Sequence, residues 1–157
     1  MTITISGRQA TPDDADFLRQ LFFVVRAPEF EAGGLFGSQL EMLLAQQYQA
    51  MRTYYDQEYA AAEYVILESG GQPIGYEATI DIGTFHLLDI ALMPEYRGQG
   101  IGTARMKNLQ DRAIAMSKPL TLTVEVFNPA LRLYERLGFV VTESAQIYQR
   151  MSWSPVS

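Results

Sequence analysis

Apolar and polar positions alternate at Ile3 and Ile5 in ITISGRQA before the pattern breaks at TPDD. The alternation predicts a strand, and TPDD predicts the start of a helix. Thr11 stands where a cap belongs, Pro12 where the first helical residue belongs, and Asp13 and Asp14 against the positive helix end. This helix is expected to stop near Val25, because the following RAPEFEAGGLFGS is rich in breakers and reads as a loop. A longer helical period then runs from about Gln39 to Tyr59 through Leu40, Leu43, Leu44, Tyr48, Met51, Tyr54 and Tyr55. Tyr48, Tyr54, Tyr55 and Tyr59 read as its amphipathic packing face, and Met42 and Met51 as core.

From Glu63 the period shortens. EYVILESGGQPIGYEATIDIGTFHLLDIALM reads as three antiparallel strands, joined through Ser69-Gly70-Gly71 and through about Gly83. A helix follows from about Gly100 to Ser117, with Ile101, Ala104, Leu109, Ala113 and Met116 on its expected buried face, and Lys118-Pro119 ends it. LTLTVEVF is the plainest strand, with Leu120, Leu122, Val124 and Val126 on one face and Thr121, Thr123 and Glu125 on the other. Asn128-Pro129 opens a short helix that Gly138 stops, and FVVTESAQIYQRMSW reads as a final strand pair. Trp153 is expected to cover a sheet edge or a partner surface. The strand, helix and strand across residues 84–126 form a right-handed crossover. The fold class is therefore α+β (mixed α/β), with a sheet antiparallel at its start and parallel in its middle.

Composition narrows the chemistry. The chain has 157 residues, enough for one domain (1–157) with a real core. It has no cysteine, which excludes disulfides, thiol nucleophiles and thiolate metal sites, and its one histidine, His86, excludes a multi-histidine centre within one chain. No metal is expected. A net charge of −6 disfavours a broad nucleic-acid surface. The longest aliphatic or aromatic run, Leu21 to Val25, is too short to span a bilayer, and the N-terminus lacks a basic segment before an apolar one. A soluble cytoplasmic protein is expected.

One stretch asks for a special explanation. In MPEYRGQGIGTARM three glycines, Gly98, Gly100 and Gly102, recur at alternate positions before a helix. A glycine turn opening a helix suits an anionic phosphate group. The dinucleotide fingerprint fails, because Thr103 stands where the third glycine of G-x-G-x-x-G belongs and no acid ends a strand about twenty residues on. A Walker loop fails because the turn has no lysine. A plain turn needs one glycine with positive φ, not three in five residues.

RGQGIG, Arg97 to Gly102, matches the Q/R-x-x-G-x-G/A acyl-CoA motif, and in this it resembles the GNAT superfamily of N-acetyltransferases. NPALRLYERLGF (128–139) is similar to that family's second conserved region, and RQATPDDADFLRQLF (8–22) to its N-terminal strand and helix. The resemblance covers about two thirds of the chain and is thin between about Ala27 and Glu63. It implies a GNAT-like fold, whose central, mostly antiparallel sheet is split at its middle and flanked by about four helices. It also implies an acetyl-CoA-dependent N-acetyltransferase acting on a primary amine of a small molecule or peptide, directly and through a tetrahedral intermediate. The same motif serves O-transfer, longer acyl donors, and a non-catalytic acyl-CoA sensor.

By the resemblance, backbone amides of Gly98, Gln99, Gly100, Ile101, Gly102 and Thr103 bind the CoA pyrophosphate, and Arg97 pairs with a phosphate or with a surface carboxylate. The strand ending DIALMP carries the family's bulge, splays from LTLTVEVF, and offers the backbone of Ile90, Ala91 and Leu92 to the pantetheine arm. The Leu92 amide also faces the oxyanion. Asn128 caps its helix and contacts pantetheine. Tyr134, by periodicity a core aromatic, matches the family tyrosine that donates a proton to the CoA thiolate. His86 is the candidate base, set against a structural histidine, with Glu77, Asp89 and Glu125 behind it. Alternation puts Asp89 on the opposite strand face from His86 unless the bulge resets it. Glu29 and Glu31 add negative charge to the expected loop, which favours a cationic amine such as a polyamine, an aminoglycoside or a lysine-like group. The last strand pair leaves an edge that a homodimer would use.

Overall fold

A computed structural model describes residues 4–155. Ile3, half of the alternation that predicts the first strand, lies outside the described residues. The elements run β1 (Ile5–Gln9), a 3₁₀ turn (Pro12–Asp14), α1 (Ala15–Ala32), α2 (Gly37–Glu58), β2 (Glu63–Ser69), β3 (Gln72–Asp81) and β4 (Phe85–Leu92). A second 3₁₀ turn (Pro94–Tyr96) leads to α3 (Ile101–Met116), β5 (Leu120–Glu125), α4 (Ala130–Arg136), β6 (Val140–Ser144) and β7 (Tyr148–Trp153). Strands are hydrogen-bonded in the order β1-β2-β3-β4-β5-β7-β6. The expected mixed α/β class and four α-helices are present. By contacts the chain forms two compact units, Met1–Glu77 with Ile90–Arg97, and Ala78–Asp89 with Gly98–Ser157.

In the first unit β1 and β2 pair antiparallel from Ile5↔Ser69 to Gln9↔Val65. Gly70 and Gly71, at φ 58° and 81°, make the two-residue link that a tight hairpin requires. Leu21 of α1, Leu40 and Leu44 of α2, and Ile66, Leu67 and Ile74 of the strands are buried core. Each such leucine or isoleucine contributes about 2 kcal/mol by leaving water. Thr11 stands at the N-terminal cap with Pro12 directly after it and Asp13 and Asp14 in the first turn, as expected. A 3₁₀ turn comes first, and the Asp14 carboxylate accepts the Thr11 N–H at 2.8 Å. Arg8 grips the same carboxylate through two bonds of 2.9 and 2.7 Å and holds Glu68 at 3.1 Å.

The loop expected from Arg26 is helix instead: α1 runs through Pro28 to Ala32, and Glu29 and Glu31 stand exposed on its last turns. Proline removes one donor, toward Val24, but packing outweighs that loss. The Phe22 ring meets Tyr48 of α2 edge-on at 5.3 Å, and the Arg26 guanidinium covers Phe22 at 4.7 Å. The helix stops at Gly33-Gly34, where Gly34 has φ 92°. Met42, expected in the core, is 64% exposed. Tyr55 and Tyr59 meet edge-on at 5.5 Å, whereas Tyr54, with its ring 5.9–6.2 Å from theirs, is 52% exposed.

In the second unit β5 lies between β4, paired parallel, and β7, paired antiparallel. Leu120, Leu122 and Val124 are buried, as the alternation predicts, together with Met106, Leu109 and Ala113 of α3. The buried stripe of α3 is Met106, Leu109, Gln110 and Ala113, an i, i+3, i+4, i+7 set. Ala104, expected on that face, points away from this stripe and is exposed. Gln110 is buried because its amide donates to the Leu137 carbonyl at 2.9 Å, tying α3 to the end of α4. Trp153 lies on β7, opposite Leu120, with its ring against Gly138. A Cβ at Gly138 would come within 3.2 Å of that ring.

Candidate active site

The glycine turn is built as its sequence demands. After the Pro94–Tyr96 turn, Gly98 has φ 73° and Gly100 φ 81°, a region that side chains avoid. Gly98, Gln99 and Gly100 are exposed, while Ile101 is anchored in the core at 4% exposure. Gly100 is the N-terminal cap residue of α3, and no side chain caps the helix. The first intrahelical bond runs from Ala104 N–H to the Gly100 carbonyl, so the amides of Ile101, Gly102 and Thr103 precede the ladder. No acidic residue stands in that first turn. A Cβ placed on Gly98 or Gly100 would meet nothing within 4 Å. A 16-residue helix thus presents its positive end, uncapped, beneath open space, which fits an anionic group such as pyrophosphate. Arg97 precedes the turn in extended conformation, exposed.

Strand β4 changes character along its length. Phe85 and Leu87 are buried, whereas Leu88, Asp89, Ile90, Ala91 and Leu92 are all half-buried, so strict alternation ends at Leu87. The β4–β5 register covers Phe85↔Leu120, His86↔Thr121 and Leu87↔Leu122, although β4 itself continues to Leu92 and β5 to Glu125. Within the first unit, Met93 N–H donates to the Ile74 carbonyl at 2.7 Å. A Cβ on Gly75 would lie 2.4 Å from the Ala91 carbonyl oxygen. Neighbouring strands normally run 4.7–4.9 Å apart with Cβ atoms pointing out of the sheet, so this approach marks a departure from the regular pleat at Ala91.

The remaining candidates in the second unit come from β4 and α4. Tyr134 is 6% exposed, and its ring leans on Phe139 at a centroid distance of 5.8 Å. Burial, and then the negative charge of Asp89, push its phenol up to about 12, so it holds its proton throughout the neutral range. Asp89 is thus the carboxylate that acts on Tyr134. His86 has Thr121 as partner, Nδ1 to Oγ1 at 2.8 Å, and Thr121 in turn meets Thr84 at 3.0 Å. Burial, and then the positive charge of Arg150, hold His86 below the usual histidine range, hence neutral at pH 7. Asn128 fulfils its capping role: its Oδ1 accepts the Ala130 N–H at 2.9 Å. Glu125 is exposed at the end of β5, and Glu77, in the first unit, is buried on β3 at 1% exposure.

Two contributors carry little signal in the sequence. The alternation of β5 puts Thr121 only on the face opposite Leu120 and Leu122, and the parallel register is what places it opposite His86. For Gly75 the signal is a lone glycine inside a strand, a mark of close backbone approach. Among the described residues no cluster of three or more His, Asp or Glu is arranged to hold a metal, and no helix is long and apolar enough to cross a membrane.

Residues 23–156 match the family model described as an acetyltransferase (GNAT) domain. An uncharacterized N-acetyltransferase of Methanocaldococcus jannaschii is 36% identical over 80 residues, a match that spans 48% of this chain and about half, 51%, of that protein. Among solved structures, the PaiA N-acetyltransferase of Thermoplasma acidophilum, in complex with coenzyme A, superposes with a TM-score of 0.73 at 17% identity. That match covers 98% of this chain and all of the other (100%). The spermidine/spermine N-acetyltransferase SpeG of Vibrio cholerae gives a TM-score of 0.64 at 19% identity over 96% of this chain and 95% of its own. At these identities the structural likeness is one of fold.

Proposed function

The chain belongs to the GNAT acetyltransferase family, and from that premise we propose that it transfers the acetyl group of acetyl-CoA directly to a primary amine. The observation that carries this reading is the start of α3: a glycine-capped, acid-free, exposed helix terminus preceded by arginine. Amides of residues 98–103 hold the donor pyrophosphate, with Arg97 beside them as a charge partner. Backbone groups of Ile90, Ala91 and Leu92 bond the pantetheine arm in the manner of an added strand, and the amide side chain of Asn128 contacts it as well.

Each protein group then has one task. His86 is the base: neutral at pH 7, it has its Nδ1 held by Thr121, which leaves Nε2 to accept a proton from the ammonium form of the acceptor. The Leu92 N–H donates to the thioester oxygen as negative charge builds there. As the new C–N bond forms and the C–S bond breaks, Tyr134 gives its phenolic proton to the departing sulfur, the second proton of the attacking nitrogen leaves to water to give the neutral amide, and Tyr134 is reprotonated from solvent. A phenol kept protonated by burial suits that task.

The acceptor class that best suits the chain is a cationic amine, because net charge is −6 and Glu29 and Glu31 stand exposed at the end of α1. SpeG, a neighbour in fold, is by its name an acetyltransferase of spermidine and spermine, in keeping with that class. Release of free CoA thiol from acetyl-CoA over a panel of polyamines, aminoglycosides and lysine-ended peptides tests the proposal. Amine-dependent thiol release with an equal yield of acetylated amine is expected. A panel on which thiol never exceeds background hydrolysis would contradict it and favour a non-catalytic acyl-CoA sensor.

A further inference from the structure

Gly75 differs from the other glycines of this chain in what it requires. Gly70, Gly71, Gly98 and Gly100 have positive φ and open space, so their need is conformational. Gly75 sits buried within β3, and its need is steric: a Cβ there would lie 2.4 Å from the Ala91 carbonyl oxygen, 2.8 Å from Leu92 Cδ2 and 3.2 Å from Leu92 Cα. Two of those three atoms belong to the backbone, which cannot swing aside as a side-chain tip can. Next along the chain, the Met93 N–H bond to Ile74 fixes β4 against β3. The Ala91–Leu92 peptide therefore rides over the face of β3 at the one position where β3 has no side chain.

We propose that Gly75 is a positioning residue for the acyl donor, resting on the function given above. Its missing side chain lets the Ala91–Leu92 peptide leave the regular pleat, and this aims the backbone groups that bond the pantetheine arm and the thioester oxygen. Alanine at this position pushes that peptide outward. The anionic end of the donor, held by the α3 start, does not depend on it.

The test compares two ligands on the full chain by calorimetry: acetyl-CoA, and 3′-phosphoadenosine 5′-diphosphate, which keeps the nucleotide and pyrophosphate but lacks the pantetheine arm. In Gly75→Ala, acetyl-CoA affinity is expected to fall roughly tenfold, the loss of one or two backbone hydrogen bonds, while the nucleotide binds as it does to the wild type. A fold defect would lower both affinities together, so parallel loss overturns the assignment, as does unchanged acetyl-CoA binding. Where Gly75→Ala alone is too unstable, Gly75→Ala with Leu92→Ala removes the 2.8 Å side-chain clash and keeps the carbonyl clash. It is compared with Leu92→Ala, and the same selective loss is expected. Wild-type protein that binds neither ligand would instead overturn the function itself.

Discussion

At the entry to α1 the chain meets its own amides with its own charge: Asp14 reaches back to the Thr11 N–H, and Arg8 clamps the carboxylate from the other side. At the start of α3 the corresponding positions hold Gly100, no capping side chain and no acid in the first turn. Both ends offer the same partial positive charge. In the first the protein has supplied the anion, and in the second it has removed every side chain that would compete for one. The contrast separates a helix end built for stability from one built for a ligand, and Asp14 at 5% exposure against an exposed Gly100 expresses it in burial.

The strongest way to break this comparison is to turn the second end into the first. Gly100→Asp places a carboxylate at the amides of residues 101–103, each worth about 1.5 kcal/mol to a charged acceptor, so acetyl-CoA affinity is expected to fall roughly a thousandfold. Gly100→Ala, which shares the backbone strain at φ 81° and adds no charge, separates strain from competition. Binding of acetyl-CoA by Gly100→Asp at wild-type strength would mean that the α3 start is not the pyrophosphate site.

Tyr134→Phe removes the proton donor and keeps the ring on Phe139. A drop in kcat of roughly a hundredfold with acetyl-CoA affinity unchanged is expected, the lower end for a general acid because a thiolate leaves readily. Equal loss of affinity and kcat would reduce Tyr134 to packing.

On the other side of the comparison, Asp14→Ala is expected to cost about 1–2 kcal/mol of stability, read by urea unfolding, and to leave acetyl-CoA affinity unchanged. The bonds from Arg8 and then from Thr11 hold the Asp14 carboxyl down to about 2, against an ordinary 3.8. Its contribution is thus complete above pH 3.8 and lost as the pH falls toward 2. Asp14→Ala should flatten that part of the acid unfolding curve, and an unchanged curve would remove Asp14 from the account.

At His86 the expected effect is read in the pH profile. The pKa of His86 lies below the ordinary 6.5, so kcat should decline only as the pH falls below that value. His86→Gln should abolish that acidic limb, and a pH profile identical to wild type would leave His86 a structural partner of Thr121.

What was legible in the sequence follows the same division. The turn at Gly98 and Gly100, the stop at Gly138 and the buried alternation of Leu120, Leu122 and Val124 depend on local sterics and strand period, which residue types encode directly. The run of α1 through Pro28 was not legible, because it depends on Phe22 meeting Tyr48 of α2, which local propensity cannot report. Nor was the exposure of Ala104: the stripe of α3 is set by Met106, and an alanine carries too little apolar surface to fix a face. Glycine has one letter for two needs, and that of Gly75, for space beside another strand rather than for a positive φ, is one that no local pattern encodes. The acceptor side stays least legible for a similar reason: residues 27–63 form helices that pack by shape, and no motif in them names an amine.

The most direct test of the central claim is a calorimetric titration of the wild-type chain with acetyl-CoA, with 3′-phosphoadenosine 5′-diphosphate titrated in parallel. Saturable one-to-one binding of both in the micromolar range, weakened by salt as expected for a charged phosphate contact, is the predicted result. Absence of saturable binding by either ligand would contradict the assignment of the α3 start as an acyl-CoA cradle.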